Sequence, residues 1–125
     1  MIVGVGTDIV AIARMQALWE RHGERAADKI LSPDERDACA AHAEPARLLA
    51  KRFAAKEALG KAAGSGLRAP LLMPDIGVVH DSLGKPAFVL YGSAATLFAE
   101  RGWQTHLSIS DEQDYAVAFV VLEQA

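Results

Sequence analysis

The chain of 125 residues holds one cysteine, Cys39. An internal disulfide is therefore excluded, and a reducing compartment, the cytoplasm, suits the composition. Aromatic residues make up only 6%, while alanine is frequent, so the helices are expected to pack closely through small side chains. No apolar run approaches the roughly 18–20 residues that a membrane span needs. The start, Met1-Ile2-Val3-Gly4, lacks the basic segment of a signal peptide. Positive charge is also not in excess. The formal net charge is −3, which argues against a broad nucleic-acid-binding surface, so any phosphate site must be local. Repeats, low-complexity tracts and linkers are missing too, and the length predicts one domain, 1–125.

What is present centres on one run, Arg52-Phe53-Ala54-Ala55-Lys56-Glu57-Ala58-Leu59-Gly60-Lys61-Ala62. It lies in a helical pattern from about Glu44 to Ala63 that Gly64-Ser65-Gly66 terminates. At about 100° per residue, Phe53, Glu57 and Lys61 share a ridge, with Lys56 and Gly60 beside them. A carboxylate and two ammonium groups thus share a face with a glycine that permits close approach. The opposite side is rich in Leu and Ala and reads as core-facing. Taken alone, Glu57 and Lys61 form an ordinary i,i+4 surface pair.

Upstream, Ile2 to Thr7 reads as a strand ending at Asp8. Gly4 and Gly6 do not make a dinucleotide fingerprint, because the third glycine is missing. Asp8 is either the N-cap of the next helix or a carboxylate at the edge of a cleft, ready for a hard cation. Ala11 to His22 is an amphipathic helix with Ile12, Met15, Leu18 and Trp19 as its stripe. Its polar side carries Arg14 and Arg21, Arg25 follows Gly23, and the interleaved Glu20 and Glu24 make a solvated face on charge alone. Ser32-Pro33-Asp34-Glu35 starts another helix with a capping box, running to about His42.

After Gly66 the pattern changes. Leu67 to Pro74 is a loop, and Asp75 to Asp81 and Pro86 to Tyr91 form a hairpin around Ser82-Leu83-Gly84-Lys85. A short helix runs through Arg101 to Gly102. Trp103 to Ser110 alternates strictly, with Gln104, His106, Ser108 and Ser110 on one face. Tyr115 to Leu122 is a last strand whose Ala116 and Ala118 invite a closely packed helix. The fold class expected is α+β, a mainly antiparallel sheet packed against a long central helix. His42 and His80 read as exposed bystanders, and Ser108 and Ser110 as the wet side of an edge strand.

Asp8, the Glu57/Lys61 ridge with Arg52 and Lys56, and the polar face His106-Ser108-Ser110 are the pieces that carry chemistry. Two carboxylates without a Cys or His cluster suit Mg²⁺ better than Zn²⁺. Cationic groups near such an ion suit a phosphate or pyrophosphate. The motifs Gly6-Thr7-Asp8-Ile9-Val10, Arg52-Phe53-Ala54-Ala55-Lys56-Glu57-Ala58, Lys61-Ala62 with Gly64-Ser65-Gly66, Gly84-Lys85-Pro86 and His106-Leu107-Ser108-Ile109-Ser110 follow in order. Over essentially its whole length the chain resembles the holo-acyl-carrier-protein synthases, a family of 4′-phosphopantetheinyl transferases. Two positions depart from that pattern: Asp111 stands where a histidine is common, and Ser65 where threonine is more frequent.

The resemblance implies transfer of 4′-phosphopantetheine from coenzyme A to a serine of apo acyl carrier protein, a step of fatty acid biosynthesis. It implies Mg²⁺ on Asp8 and Glu57, with Lys61 at the pyrophosphate and Glu57, a metal-bound water or free water taking the serine proton. It further implies Arg52 and His106 near the 3′-phosphate, the Gly84-Lys85-Pro86 turn near the adenine, and Ser65 in the coenzyme site. Arg14, Arg21 and Arg25 become the docking side for the acidic carrier. A homotrimer with active sites between subunits is also implied. A non-catalytic module binding coenzyme A or a nucleotide is the competing reading.

Overall fold

The computed structural model describes residues 1–125. The order is β1 (Ile2–Ala11), α1 (Ile12–His22), α2 (Glu24–Ile30), α3 (Pro33–Ala41) and α4 (Pro45–Ala63), then a 3₁₀ turn (Met73–Asp75), β2 (Ile76–His80), β3 (Pro86–Leu90), α5 (Gly92–Arg101), β4 (Trp103–Asp111) and β5 (Tyr115–Gln124). One antiparallel sheet has the order β1-β5-β4, and β2 and β3 form a separate hairpin. The α+β expectation, with a long helix against an antiparallel sheet, holds. No helix is long and apolar enough to cross a membrane.

The central helix α4 lies close on the three-stranded sheet where the strands beneath it carry little side-chain bulk, at Gly4 and Gly6 of β1 and Ala116 and Ala118 of β5. On β5, Ala116, Ala118, Val120 and Leu122 point inward and are buried, while Tyr115, Val117 and Phe119 point outward. On β1, a Cβ added at Gly4 would stand 1.9 Å from the carbonyl oxygen of Ala62, and one at Gly6 2.0 Å from that of Ala58. The two glycines are therefore a packing groove for α4. Gly60 plays the same part toward the loop, where a Cβ would stand 2.9 Å from the carbonyl carbon of Gly66.

Several expectations are corrected. The first strand does not end at Asp8: it continues to Ala11, and Asp8 pairs with Ala118 within the ladder. The N-cap position of α1 is Ala11, so Asp8 caps nothing. The inserted helix α2, seven residues, was not anticipated; it is too short to show a period. Lys56 does not share the wet face of Glu57. It is wholly buried, and its ammonium donates to Ile30 O at 2.6 Å, Glu35 Oε1 at 2.7 Å and Met73 O at 3.2 Å. The capping-box Glu35 is the counter-ion. It also accepts from the backbone N–H groups of Ser32 and Val78, tying α3, α4 and β2 together. A fully buried ammonium with three acceptors and a paired carboxylate satisfies what burial of a charge demands.

Candidate functional site

The close approach of β1 to α4 brings Asp8 beside the outer ridge of the helix. Lys61 Nζ lies 3.1 Å from Asp8 Oδ1 and donates to the carbonyl of Thr7 at 2.9 Å. Glu57, one turn earlier on α4, faces the same spot. Its pKa is raised, first by burial and then by the charge of Asp8, with Lys61 and Arg14 pulling the other way. Arg14 reaches over from α1, its guanidinium 5.0 Å from the Phe53 ring centroid. Three elements thus place two carboxylates, a lysine and an arginine around one opening. The two oxygen-donor carboxylates repel one another, and a hard cation between them would relieve that repulsion. So Asp8, Glu57 and Lys61 do meet.

The other expected residues do not join them within one chain. His106 is on β4, and β5 separates that strand from β1. Its side chain points to the outward face, where Nε2 lies 3.1 Å from Glu123 Oε1, whereas Asp8 is on the inward face with Gly6 and Val10. Arg52 is turned toward β2: Nη1 donates to Val78 O at 2.8 Å, and Nε lies 3.5 Å from Glu35 Oε2. Ser65 follows α4 and donates to Gly66 O at 2.9 Å. Gly84, Lys85 and Pro86 lie at the tip of the β2–β3 hairpin. There Asp81 Oδ1 accepts from the backbone of Leu83 at 2.8 Å and of Lys85 at 2.9 Å.

Comparison with known proteins decides the family. A family model described as the 4′-phosphopantetheinyl transferase superfamily matches residues 4–120. The chain belongs to that superfamily. A holo-acyl-carrier-protein synthase of Dechloromonas aromatica is 54% identical over 125 residues, covering 100% of both chains. The crystal structure of the holo-acyl-carrier-protein synthase from Neisseria meningitidis superposes with a TM-score of 0.95 at 43% identity, covering 99% of this chain and 100% of that one. The Helicobacter pylori synthase in complex with coenzyme A superposes at 0.81 and 30% identity, over 95% and 99% of the two chains.

This superfamily member carries two further features beside the Asp8–Glu57–Lys61 opening. The first is a basic cleft of about 330 Å³ lined by His42, Arg47, Lys51, Arg52 and His80 with apolar Leu48 and Ile109. His42 and His80, exposed as expected, stand on its lining. Burial, then Arg52 and Lys51, lowers the pKa of His80, which favours the neutral ring. Arg47 and Lys51 were missed, although their i,i+4 spacing just before Arg52 was a legible signal.

The second feature is an apolar cleft of about 340 Å³ between α1, α2 and α4. Leu18, Ile30, Phe53 and Met73 line it, and His22, Arg25 and Lys29 contribute its basic groups. None of the eight ion pairs in the chain includes Arg14, Arg21 or Arg25. The neighbouring Glu20 accepts from Gln16 instead. Arg21 and Arg25 thus take no part in an ion pair within the chain, and Arg14 is held by Phe53 and the field of Glu57 alone.

Proposed function

We propose that the chain, as one domain over 1–125, is a holo-acyl-carrier-protein synthase. It moves the 4′-phosphopantetheine group of coenzyme A onto a serine hydroxyl of an apo acyl carrier protein, a step of fatty acid biosynthesis in the cytoplasm. The observation that carries this reading is the convergence of Asp8, Glu57 and Lys61, with a Glu57 whose ionised form is disfavoured until a cation joins it. Asp8 and Glu57 are the residues that would hold Mg²⁺. When bound, that ion neutralises negative charge on the transferring phosphoryl group.

The chain's own groups do the remainder. Lys61, anchored on Thr7 O and Asp8, presents its ammonium to the pyrophosphate oxygens. The carrier serine oxygen attacks the phosphorus bearing the pantetheine arm, and Glu57, or a water it orients, takes the proton. The bond to the bridging oxygen breaks, and adenosine 3′,5′-bisphosphate leaves with the electron pair. Arg14, Arg21 and Arg25 attract an acidic carrier, and the apolar cleft beside them receives an apolar side chain of it.

Arg52, Ser65, His106 and the Gly84-Lys85-Pro86 turn belong to the coenzyme site in this reading, contributed by different copies of the chain. Two observations support assembly into the homotrimer that the resemblance implies. His106 and Asp8 lie on opposite faces of one sheet, and the outward face exposes Val5, Ile9, Val117 and Phe119 together. The test is the intact mass of an apo acyl carrier protein after incubation with the chain, coenzyme A and Mg²⁺, beside a chelated control. A gain of one phosphopantetheine that the chelator abolishes is expected. No gain across several apo carriers, with coenzyme A still bound, overturns the transferase in favour of a binding module.

A further inference from the structure

Asp111, the last residue of β4, pairs with two of the cations that line the basic cleft. Its Oδ2 lies 3.0 Å from Arg47 Nη1 and its Oδ1 3.6 Å from Lys51 Nζ. The two cations are not equivalent. Arg47 also donates to the carbonyls of Glu112 at 2.8 Å and Gln113 at 3.2 Å, and its Nε lies 3.5 Å from Glu44. Its guanidinium is consumed in bracing the β4–β5 turn. Lys51 has no partner but Asp111, at a separation beyond an ordinary hydrogen bond. Arg52 uses Nη1 and Nε on Val78 and Glu35 and leaves Nη2 without a partner. The cleft therefore offers a ligand two open cationic donors, Lys51 Nζ and Arg52 Nη2, with a carboxylate fixed beside the first.

We propose that Asp111 is a specificity-determining residue of the coenzyme site, a built-in competitor that holds Lys51 and limits how tightly the cleft binds a phosphate monoester. This rests on the transferase reading, in which coenzyme A brings such a group on its ribose. The arrangement lets a phosphate dianion displace Asp111 from Lys51 while Arg47 keeps the carboxylate, so the turn stays braced during exchange. Product carrying the same monoester then also leaves a site of moderated affinity. The pairing with Arg47 makes the carboxylate a fixed charge, so its effect on a ligand is electrostatic and does not require the fold to move.

The test is calorimetric binding of coenzyme A and of 3′-dephospho-coenzyme A to wild type, Asp111→Asn, Lys51→Gln and the double variant. Asparagine keeps an acceptor for Arg47, and a thermal scan checks that each protein is folded. Asp111→Asn is expected to tighten coenzyme A about threefold at physiological salt and up to about tenfold at low salt, the size of removing a unit charge about 6 Å from a dianion in water-like surroundings. The dephosphorylated ligand should be unchanged, and in the Lys51→Gln background the gain should be smaller, because the competition for Lys51 is gone and only the through-space repulsion by Asp111 remains to be removed. Equal change in both ligands, no change in either, or weaker binding of coenzyme A alone each overturns the proposal. Failure of the wild type to bind either ligand overturns the transferase reading itself, a separate result.

Discussion

Replacing Gly6 by alanine tests the link between backbone packing and chemistry, because one methyl group acts on both. The added Cβ would stand 2.0 Å from the carbonyl oxygen of Ala58 and 2.8 Å from the backbone nitrogen of Ala62. Both obstacles are helix backbone, which cannot rotate aside. Ordinary contact requires β1 to retreat from α4 by about 1.4 Å. Overpacking of this kind costs about 1–3 kcal/mol, or a Tm loss of about 5–12 °C for a chain of this length. Asp8 is two residues along the same strand, on the same face, 3.1 Å from Lys61. Moving it by about 1 Å is worth roughly a hundredfold in rate. The carrier-mass assay at 25 °C, below the transition, should therefore show a deep loss of transfer in a folded protein. Gly102→Ala is the control. Its φ of 65° makes alanine costly, but no heavy atom lies within 4 Å, so it should lose about 1–2 kcal/mol and keep its activity. A Gly6→Ala protein with wild-type Tm and a rate within about twofold of wild type would refute the packing account.

Other perturbations separate the remaining roles. Glu57→Gln should reduce transfer about a hundredfold or more without lowering Tm at pH 7. The folded chain holds the Glu57 proton to higher pH than the unfolded chain. The group's contribution to stability is therefore present below its ordinary pKa and lost as pH rises through the raised value. A lower Tm for the glutamine variant at pH 7 would contradict this. Lys56→Met leaves the Glu35 carboxylate buried without its closest counter-ion and should cost about 3–5 kcal/mol in denaturant unfolding; a loss under about 1 kcal/mol would mean the pair is dispensable. Phe119→Asp, on the outward sheet face, should shift sedimentation toward monomer and reduce transfer together, and an active monomer would remove the shared-site proposal.

The sequence discloses the fold wherever a side-chain period meets a single buried face. The alternation of β4 and the Ala116/Ala118 pair of β5 were readable because one face of the sheet is covered by α4 and the other is not. The Glu57–Lys61 ridge was readable because four residues bring α4 back to the same side. Its neighbour Lys56 was not, because an amino acid that is nearly always exposed sits one residue, about 100°, away and points into the interior. Only the partner says so, and Glu35 lies 21 residues earlier in a capping box that gave no sign of a second task. Asp8 was ambiguous for the same reason: strand interior and helix cap are told apart by pairing with Ala118, 110 residues later.

The face on which a residue lies also decides what one copy can do alone. Gly4, Gly6, Asp8 and Val10 alternate with Val5, Thr7 and Ile9 along β1, so the strand offers its carboxylate to α4 and its apolar side chains to the outside. β4 does the reverse with its polar groups: His106, Ser108 and Ser110 point outward, while Leu107 and Ile109 pack on the core. A period of two cannot put His106 and Asp8 on one face without inverting a strand and exposing half the core. The same alternation that keeps the two apart within a chain sets His106 on the sheet face that also carries Val5, Ile9, Val117 and Phe119. The proposed assembly would bury that face, with its exposed apolar strip and His106, against another copy. Phe119→Asp therefore tests assembly and chemistry in one protein, because the substituted side chain touches neither Asp8 nor α4 in its own chain.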